Sequence, residues 1–373
     1  MKKISTRLFA LFFLSILFAG FHVQAEVIHV IYSSDSHYGV KCDFRGNKAV
    51  SGFRVNQAML ERMNRLPELS LPVGAGVGAG TRIGSVEMVI NTGDITNRMQ
   101  SGIQRAAKSW REFERDWFGT LNLKRTDGQK APVYVVPGNH DVSNAIGHYA
   151  IQKKDATAMA GMYNRMIRPG ELRTAANYNH QTDKIHFSVM THGIRFLFVH
   201  MWPDSNERSW ITNELANGEQ TPVLMFVHDE PNVVARHFMN PNPPYDINST
   251  DRFENLLADT SNVNYFKGEE EVAHRALADF FRNMPMIKGY FHGHYNFSEF
   301  YDFKDESGNP VIPCFRVDSP TTGARSRKDE SLLSFMLISI DTEKQLLTAR
   351  ECLWNIPGED IVFGDSRTIH IAL

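Results

Sequence analysis

Five short segments of this sequence carry residues able to hold a metal ion, and each follows a run with strand character. Asp35 and His37 (SDSHYG) follow residues 27–33, and Asp94 (NTGDITN) follows 86–90. Asn139, His140 and Asp141 (PGNHD) follow 132–136, and His228 (FVHDEP) follows 223–227. His292 and His294 (FHGHYN) follow 286–291. In open α/β sheets, sites form beyond the carboxyl ends of strands, so loops spread from Asp35 to His294 can meet in one place.

Singly these pieces say little. An Asp-x-His triplet or a Gly-Asp pair is usually turn chemistry. A lone His228 is more often a satisfied core histidine than a ligand. Two histidines two apart on an irregular turn suit metal binding better. All five together, in this order, make the purely structural reading hard to sustain. The donors are carboxylate or amide oxygens and imidazoles, with no thiolate. That set suits Mn, Fe, Zn or Co rather than copper(I) or an iron–sulfur cluster. Asp35, His37, Asp94, Asn139, His228, His292 and His294 are too many ligands for one such ion. They suit two ions that share a bridging carboxylate at ~3.5–4 Å. Such a pair polarises phosphoryl oxygens and lowers the pKa of a shared water.

The series Asp35-x-His37, Gly93-Asp94, Gly138-Asn139-His140-Asp141, His228 and His292-x-His294 resembles the calcineurin-like metallophosphoesterase superfamily. The resemblance implies that Asp35, His37 and His294 hold the first ion. It implies that Asn139, His228 and His292 hold the second, with Asp94 bridging. His140 would stabilise the pentavalent transition state or protonate the leaving alkoxide, and Asp141 would orient or tune His140. The implied reaction is in-line attack on phosphorus by metal-bound hydroxide. One departure stands in the last motif. The family's glycine precedes the first histidine, whereas here Phe291 does and Gly293 falls between the two. Both histidines are expected to keep their places. Ile95-Thr96-Asn97 follows Asp94 without a tyrosine, so a purple, tyrosinate-ligated site is not expected.

The elements that must position these loops read as alternating strands and helices, which argues for an α/β layered fold. Helical spacing marks 55–66, 103–118, 155–167, 209–215 and 273–282. Hairpin-like pairs at 185–200 and 331–353 suggest mixed rather than wholly parallel sheets. The resemblance refines this to a four-layer α/β/β/α sandwich over a single domain, residues 26–373. GAGVGAG at 74–80 follows a helix and precedes a strand, so it reads as a loop and not as a dinucleotide fingerprint. The stretch 231–265, rich in Pro and Asn, is expected to form a rim loop over the pocket. Arg325 is a candidate phosphate contact.

Residues 1–25 have the plan of a secretory signal peptide. Lys2, Lys3 and Arg7 precede an apolar run, and Val23-Gln24-Ala25 supplies small residues for cleavage before Glu26. The apolar run has 14 residues, short of the ~20 of a spanning helix. The expectation is a bacterial-type exported protein, periplasmic or secreted, with no membrane attachment after cleavage. The three cysteines are scattered, so a cysteine metal site is not expected and at least one thiol stays unpaired. A net charge of −2 gives no basic excess for nucleic acid. The reading is therefore an exported enzyme for phosphomonoesters or small phosphodiesters that uses two divalent or trivalent ions (Mn, Fe, Zn or Co). Its alternatives are a cyclic-nucleotide phosphodiesterase or nuclease on the same fold, or a non-catalytic binding protein.

Overall fold

Alternate side chains of the first strand face two different cores, and this alternation sets the layering of the molecule. The computed structural model describes residues 27–74, 76–97, 104–142, 155–180, 182–216, 221–232 and 274–373. The expected leader and nearly all of the expected rim loop lie outside the described residues. The elements in chain order are β1 (Val27–Ser33), β2 (Lys41–Phe44), β3 (Asn47–Ser51), α1 (Gly52–Met63), β4 (Met88–Asn91) and α2 (Ala106–Phe113). Then come β5 (Val133–Val135), α3 (Asn139–Val142), α4 (Thr157–Met166), β6 (Phe187–Thr191), β7 (Ile194–Phe198), α5 (Ser205–Ala216) and β8 (Val223–Phe226). The chain ends with α6 (His274–Asn283), β9 (Ile287–His292), β10 (Glu299–Lys304), β11 (Pro310–Arg316), β12 (Ser334–Asp341), β13 (Leu346–Leu353) and β14 (Val362–His370).

One six-stranded sheet runs β14-β13-β12-β1-β4-β5 and the other β10-β11-β9-β8-β7-β6. β1, β4 and β5 are parallel, while β12, β13 and β14 are antiparallel additions. In the second sheet β7, β8, β9 and β11 are parallel, with β6 and β10 antiparallel at the edges. Both sheets are mixed, as the hairpin-like pairs suggested.

Val30 and Tyr32 of β1 point between the sheets, where they meet Ile90, Met336 and Ile338 of their own sheet and Phe198, Phe226, Phe291 and Phe315 of the other. The Phe226 and Phe291 rings stack at 4.6 Å, and Phe291 and Phe315 at 4.5 Å. Each such buried ring contributes about 2 kcal/mol of hydrophobic stabilisation. Ile31, Val89 and Leu337 face the opposite way, in a core with Val55, Met59 and Met63 of α1. On the far side Met225 and Tyr290 share a core with Leu277 and Phe281 of α6. Two sheets thus lie face to face with helices outside, the α/β/β/α order.

The strands β2, β3, β10 and β14 were not legible in the sequence. In β14 (VFGDSRTIH) no residue is fully buried, so its apolar pattern is thin. The expected helix 103–118 begins at Ala106 and gives way to a π-turn at Glu114–Thr120. All three cysteines are free thiols. Among the described residues, no helix is long and apolar enough to cross a membrane.

Candidate metal centre

The loops after β1, β4, β5, β8 and β9 converge at one edge of the sandwich. Asp35, His37, Asp94 and His294 all have left-handed backbones, with φ of 54°, 39°, 50° and 71°. Each such residue costs about 1 kcal/mol or more and persists only where its surroundings hold it. Here they do. The Asp35 N–H donates to Gly93 O at 2.9 Å and the His37 N–H to Asp94 O at 2.8 Å, so the first two loops are laced together. Two glycines let the others approach. A Cβ at Gly138 would collide with Asp94 Oδ1, and one at Gly293 with Ser34 Oγ and Asp35 Oδ2.

Asp94 stands at the middle. Its Oδ1 lies 3.4 Å from His228 Nε2 and accepts the His140 N–H at 2.8 Å. Its Oδ2 lies 3.6 Å from His37 Nε2 and 3.9 Å from His140 Nε2. Burial alone would push the Asp94 carboxyl up. The charges of His228, His140 and His37 outweigh burial and hold it well below the usual carboxylate range. Burial likewise favours neutral His228, but Asp94 outweighs it and raises that imidazole well above its ordinary value.

His228 Nδ1 donates to Thr92 O at 2.7 Å, which turns Nε2 toward Asn139 Oδ1 at 3.0 Å. His294 Nδ1 lies 3.0 Å from Asn139 Oδ1 and 3.3 Å from His228 Nε2. Asn139 Oδ1, His228 Nε2 and His294 Nδ1 converge at this point, where a shared hydrogen or a bound cation satisfies their lone pairs. On the other side of Asp94, Asp35 Oδ1 and His37 Nδ1 are buried with no hydrogen-bond partner. His37 Nε2 lies 3.7 Å from Asp35 Oδ1. Both groups fit a bound cation. When present, such ions act as Lewis acids and supply a nucleophilic water near neutral pH.

Two expected roles change. His294 sits with Asn139 and His228, not with the first group, although its backbone N–H donates to Asp35 Oδ2 at 2.9 Å. His292 does not join the cluster. Its Nε2 pairs with Tyr301 Oη at 2.8 Å, and its Nδ1 lies 3.1 Å from Gly293 O. The cause is the shifted glycine. The Gly-His pair falls at Gly293-His294, so His294 occupies the place expected of His292. Two residues further on, Asn296 Oδ1 accepts from Thr322 Oγ1 at 3.2 Å.

Asp141 also departs from expectation. Its carboxylate is occupied by the backbone N–H groups of Thr96 (2.9 Å), Gly138 (3.0 Å) and Ile95 (3.2 Å). Burial and then the charge of Asp94 raise it to about 6. The His140 ring is oriented instead by Asn97, whose carbonyl lies 2.5 Å from Nδ1. Arg325 lies at a cavity of about 470 Å³ bordered by Phe297, Asp318 and Glu351, with its guanidinium 4.4 Å from the Phe297 ring centroid. Sequence reasoning missed Asp229, whose Oδ1 lies 3.5 Å from His294 Nδ1. Its signal was present as a carboxylate directly after His228.

Two face-to-face mixed sheets with histidines and carboxylates gathered at their strand ends define an α/β/β/α fold with a candidate metal centre at one edge. The family model for calcineurin-like phosphoesterases matches residues 28–296, and the chain belongs to that family. A purple acid phosphatase from seeds of yellow lupin, Lupinus luteus, shares the fold at a TM-score of 0.50 and 11% identity, over 93% of this chain and 54% of that one. This chain therefore spans about half the length of the lupin enzyme. A dimetal phosphatase from Danio rerio aligns at a TM-score of 0.49 and 11% identity, over 92% of this chain and 99% of that one. At such identity the likeness is one of fold alone. No curated protein matches the sequence.

Proposed function

We propose that this chain is an exported hydrolase of small phosphoesters, monoesters or diesters, whose centre holds two metal ions on either side of Asp94. The observation that carries the reading is the Asp94 carboxylate itself. One oxygen faces His228 Nε2 at 3.4 Å and the other faces His37 Nε2 at 3.6 Å. Asp35 and His37 form the first ligand group, and Asn139, His228 and His294 the second.

His140 holds the proton that the reaction has to move. Its Nδ1 is committed to the Asn97 carbonyl, so Nε2, on the side of Asp94, is the atom that gains or gives a proton. An imidazolium there can bind a phosphoryl oxygen or protonate the leaving oxygen. The Asp141 bonds to the amides of Thr96 and Gly138 keep the Asn139-His140 loop against the Asp94 loop. Residues 1–25, with their basic start and apolar middle, support export with cleavage before Glu26.

The test uses mature protein beginning at Glu26. Metal content is counted by plasma mass spectrometry, and hydrolysis of p-nitrophenyl phosphate is compared with that of bis-p-nitrophenyl phosphate. Two ions per chain and turnover of either reporter support the proposal, and the faster reporter separates monoester from diester. Absence of both metal and turnover, after reconstitution with Mn, Fe, Zn and Co in turn, overturns it. N-terminal sequencing of protein from the cell exterior or periplasm tests the leader.

A further inference from the structure

We propose that Asp229 is a ligand of the second ion and that His292 is not, His292 acting instead as a positioning residue through Tyr301. This assignment rests on the two-ion reading above.

The spacing of atoms carries the proposal. Ligand atoms bound to one ion at bonds of about 2.0–2.2 Å lie about 2.8–3.6 Å from their neighbours. From His294 Nδ1, Asn139 Oδ1 lies at 3.0 Å, His228 Nε2 at 3.3 Å and Asp229 Oδ1 at 3.5 Å. Asn139 Oδ1 and His228 Nε2 are themselves 3.0 Å apart, and Asp94 Oδ1 is 3.4 Å from His228 Nε2. Among the described residues, His294 belongs to two separate clusters of metal-competent atoms, one with Asp94 and His228 and the other with Asp229 and Glu230, so Asp229 reaches the site through His294. Asp229 is fully buried and its backbone is pinned. Its N–H donates to Met201 O at 3.0 Å, and its carbonyl accepts from Tyr290 Oη at 2.7 Å.

His292 is spoken for. Its Nδ1 faces a carbonyl and can only donate there, which leaves Nε2 as the lone pair. That lone pair receives the Tyr301 hydroxyl. The Arg316 guanidinium lies 5.1 Å from the Tyr301 ring centroid and packs over that ring. His292 and Tyr301 together fix the start of the loop that delivers His294.

The experiment measures metal binding rather than turnover. Mature wild-type protein, Asp229→Asn and His292→Gln are stripped with chelator and titrated with Mn²⁺ by calorimetry, with plasma mass spectrometry as the count. The expected result is two ions for wild type and His292→Gln. Asp229→Asn is expected to bind one of them at least about tenfold more weakly. The reverse pattern, with the second ion lost in His292→Gln and kept in Asp229→Asn, overturns the assignment. Cobalt(II)-loaded protein gives a second readout should Asp229→Asn fail to fold. The number of paramagnetically shifted imidazole signals stays the same in His292→Gln if His292 is not a ligand, and falls if it is. Wild type that binds no ion overturns the two-ion reading itself, and this assignment with it.

Discussion

The Asp141 carboxylate lies 2.9 Å from the Thr96 backbone nitrogen, and this bond ties the loop after β5 to the loop that carries Asp94. The same carboxylate caps Gly138 and Ile95. Asp141 therefore holds two segments of the site in register. Asp141→Asn turns an acceptor-only group into one that presents N–H to N–H. We expect a loss of about 2–3 kcal/mol, read as a lower urea midpoint with an unchanged slope. An unshifted midpoint would show that the latch is dispensable.

Asp94→Asn removes the carboxylate that faces both ligand groups. Hydrolysis should fall by more than about 100-fold, with at least one ion per chain lost. Retention of both ions would refute a bridging role.

His140→Ala leaves every proposed ligand in place. Turnover should drop by about 10²–10⁴ with metal content unchanged. The loss should be greater for an alkyl phosphate than for p-nitrophenyl phosphate, because the poorer leaving group needs the proton more. An equal loss on both would assign His140 to binding the phosphoryl oxygens instead.

Gly293→Ala places a Cβ against Ser34 Oγ and Asp35 Oδ2. The side chain of Asp35 must then move. We expect a destabilisation of about 1–3 kcal/mol and weaker metal binding. Binding isotherms and melts that match wild type would show that the loop relaxes freely.

His29 predicts how stability depends on pH. Burial and then Arg350 hold its pKa at about 4, against 6.5 for the free side chain. Between those values the unfolded chain binds a proton that the folded chain does not. Stability therefore falls as pH drops from about 6.5 to about 4, by on the order of 3 kcal/mol for this residue. Thermal melts at pH 7 and pH 5 should show a smaller drop in His29→Gln than in wild type. Equal drops would place the acid sensitivity elsewhere.

The runs of strand and helix, the mixed pairing at 185–200 and 331–353, and the loops of the centre were legible in the linear sequence. Strand periodicity, turn glycines and ligand residue types are local properties, and Asp35, Asp94, Asn139 and His228 could be picked out by them. The edge strands β10 and β14 were not legible, because edge strands bury only part of one face. The division of labour within the centre was also not legible. His292-Gly293-His294 offers two equivalent imidazoles on paper. The backbone turn at Gly293 sends one to Tyr301 and the other to Asn139 and His228. Asp141 adjoins His140 in sequence, yet its carboxylate is taken by amides from another loop. Asp229 reads as an ordinary acid until β9 brings His294 to it. Residue type and order determine which atoms can bind a metal or move a proton. Only the packing of distant loops decides which of those atoms face one another, because that depends on contacts between segments that the linear order does not encode.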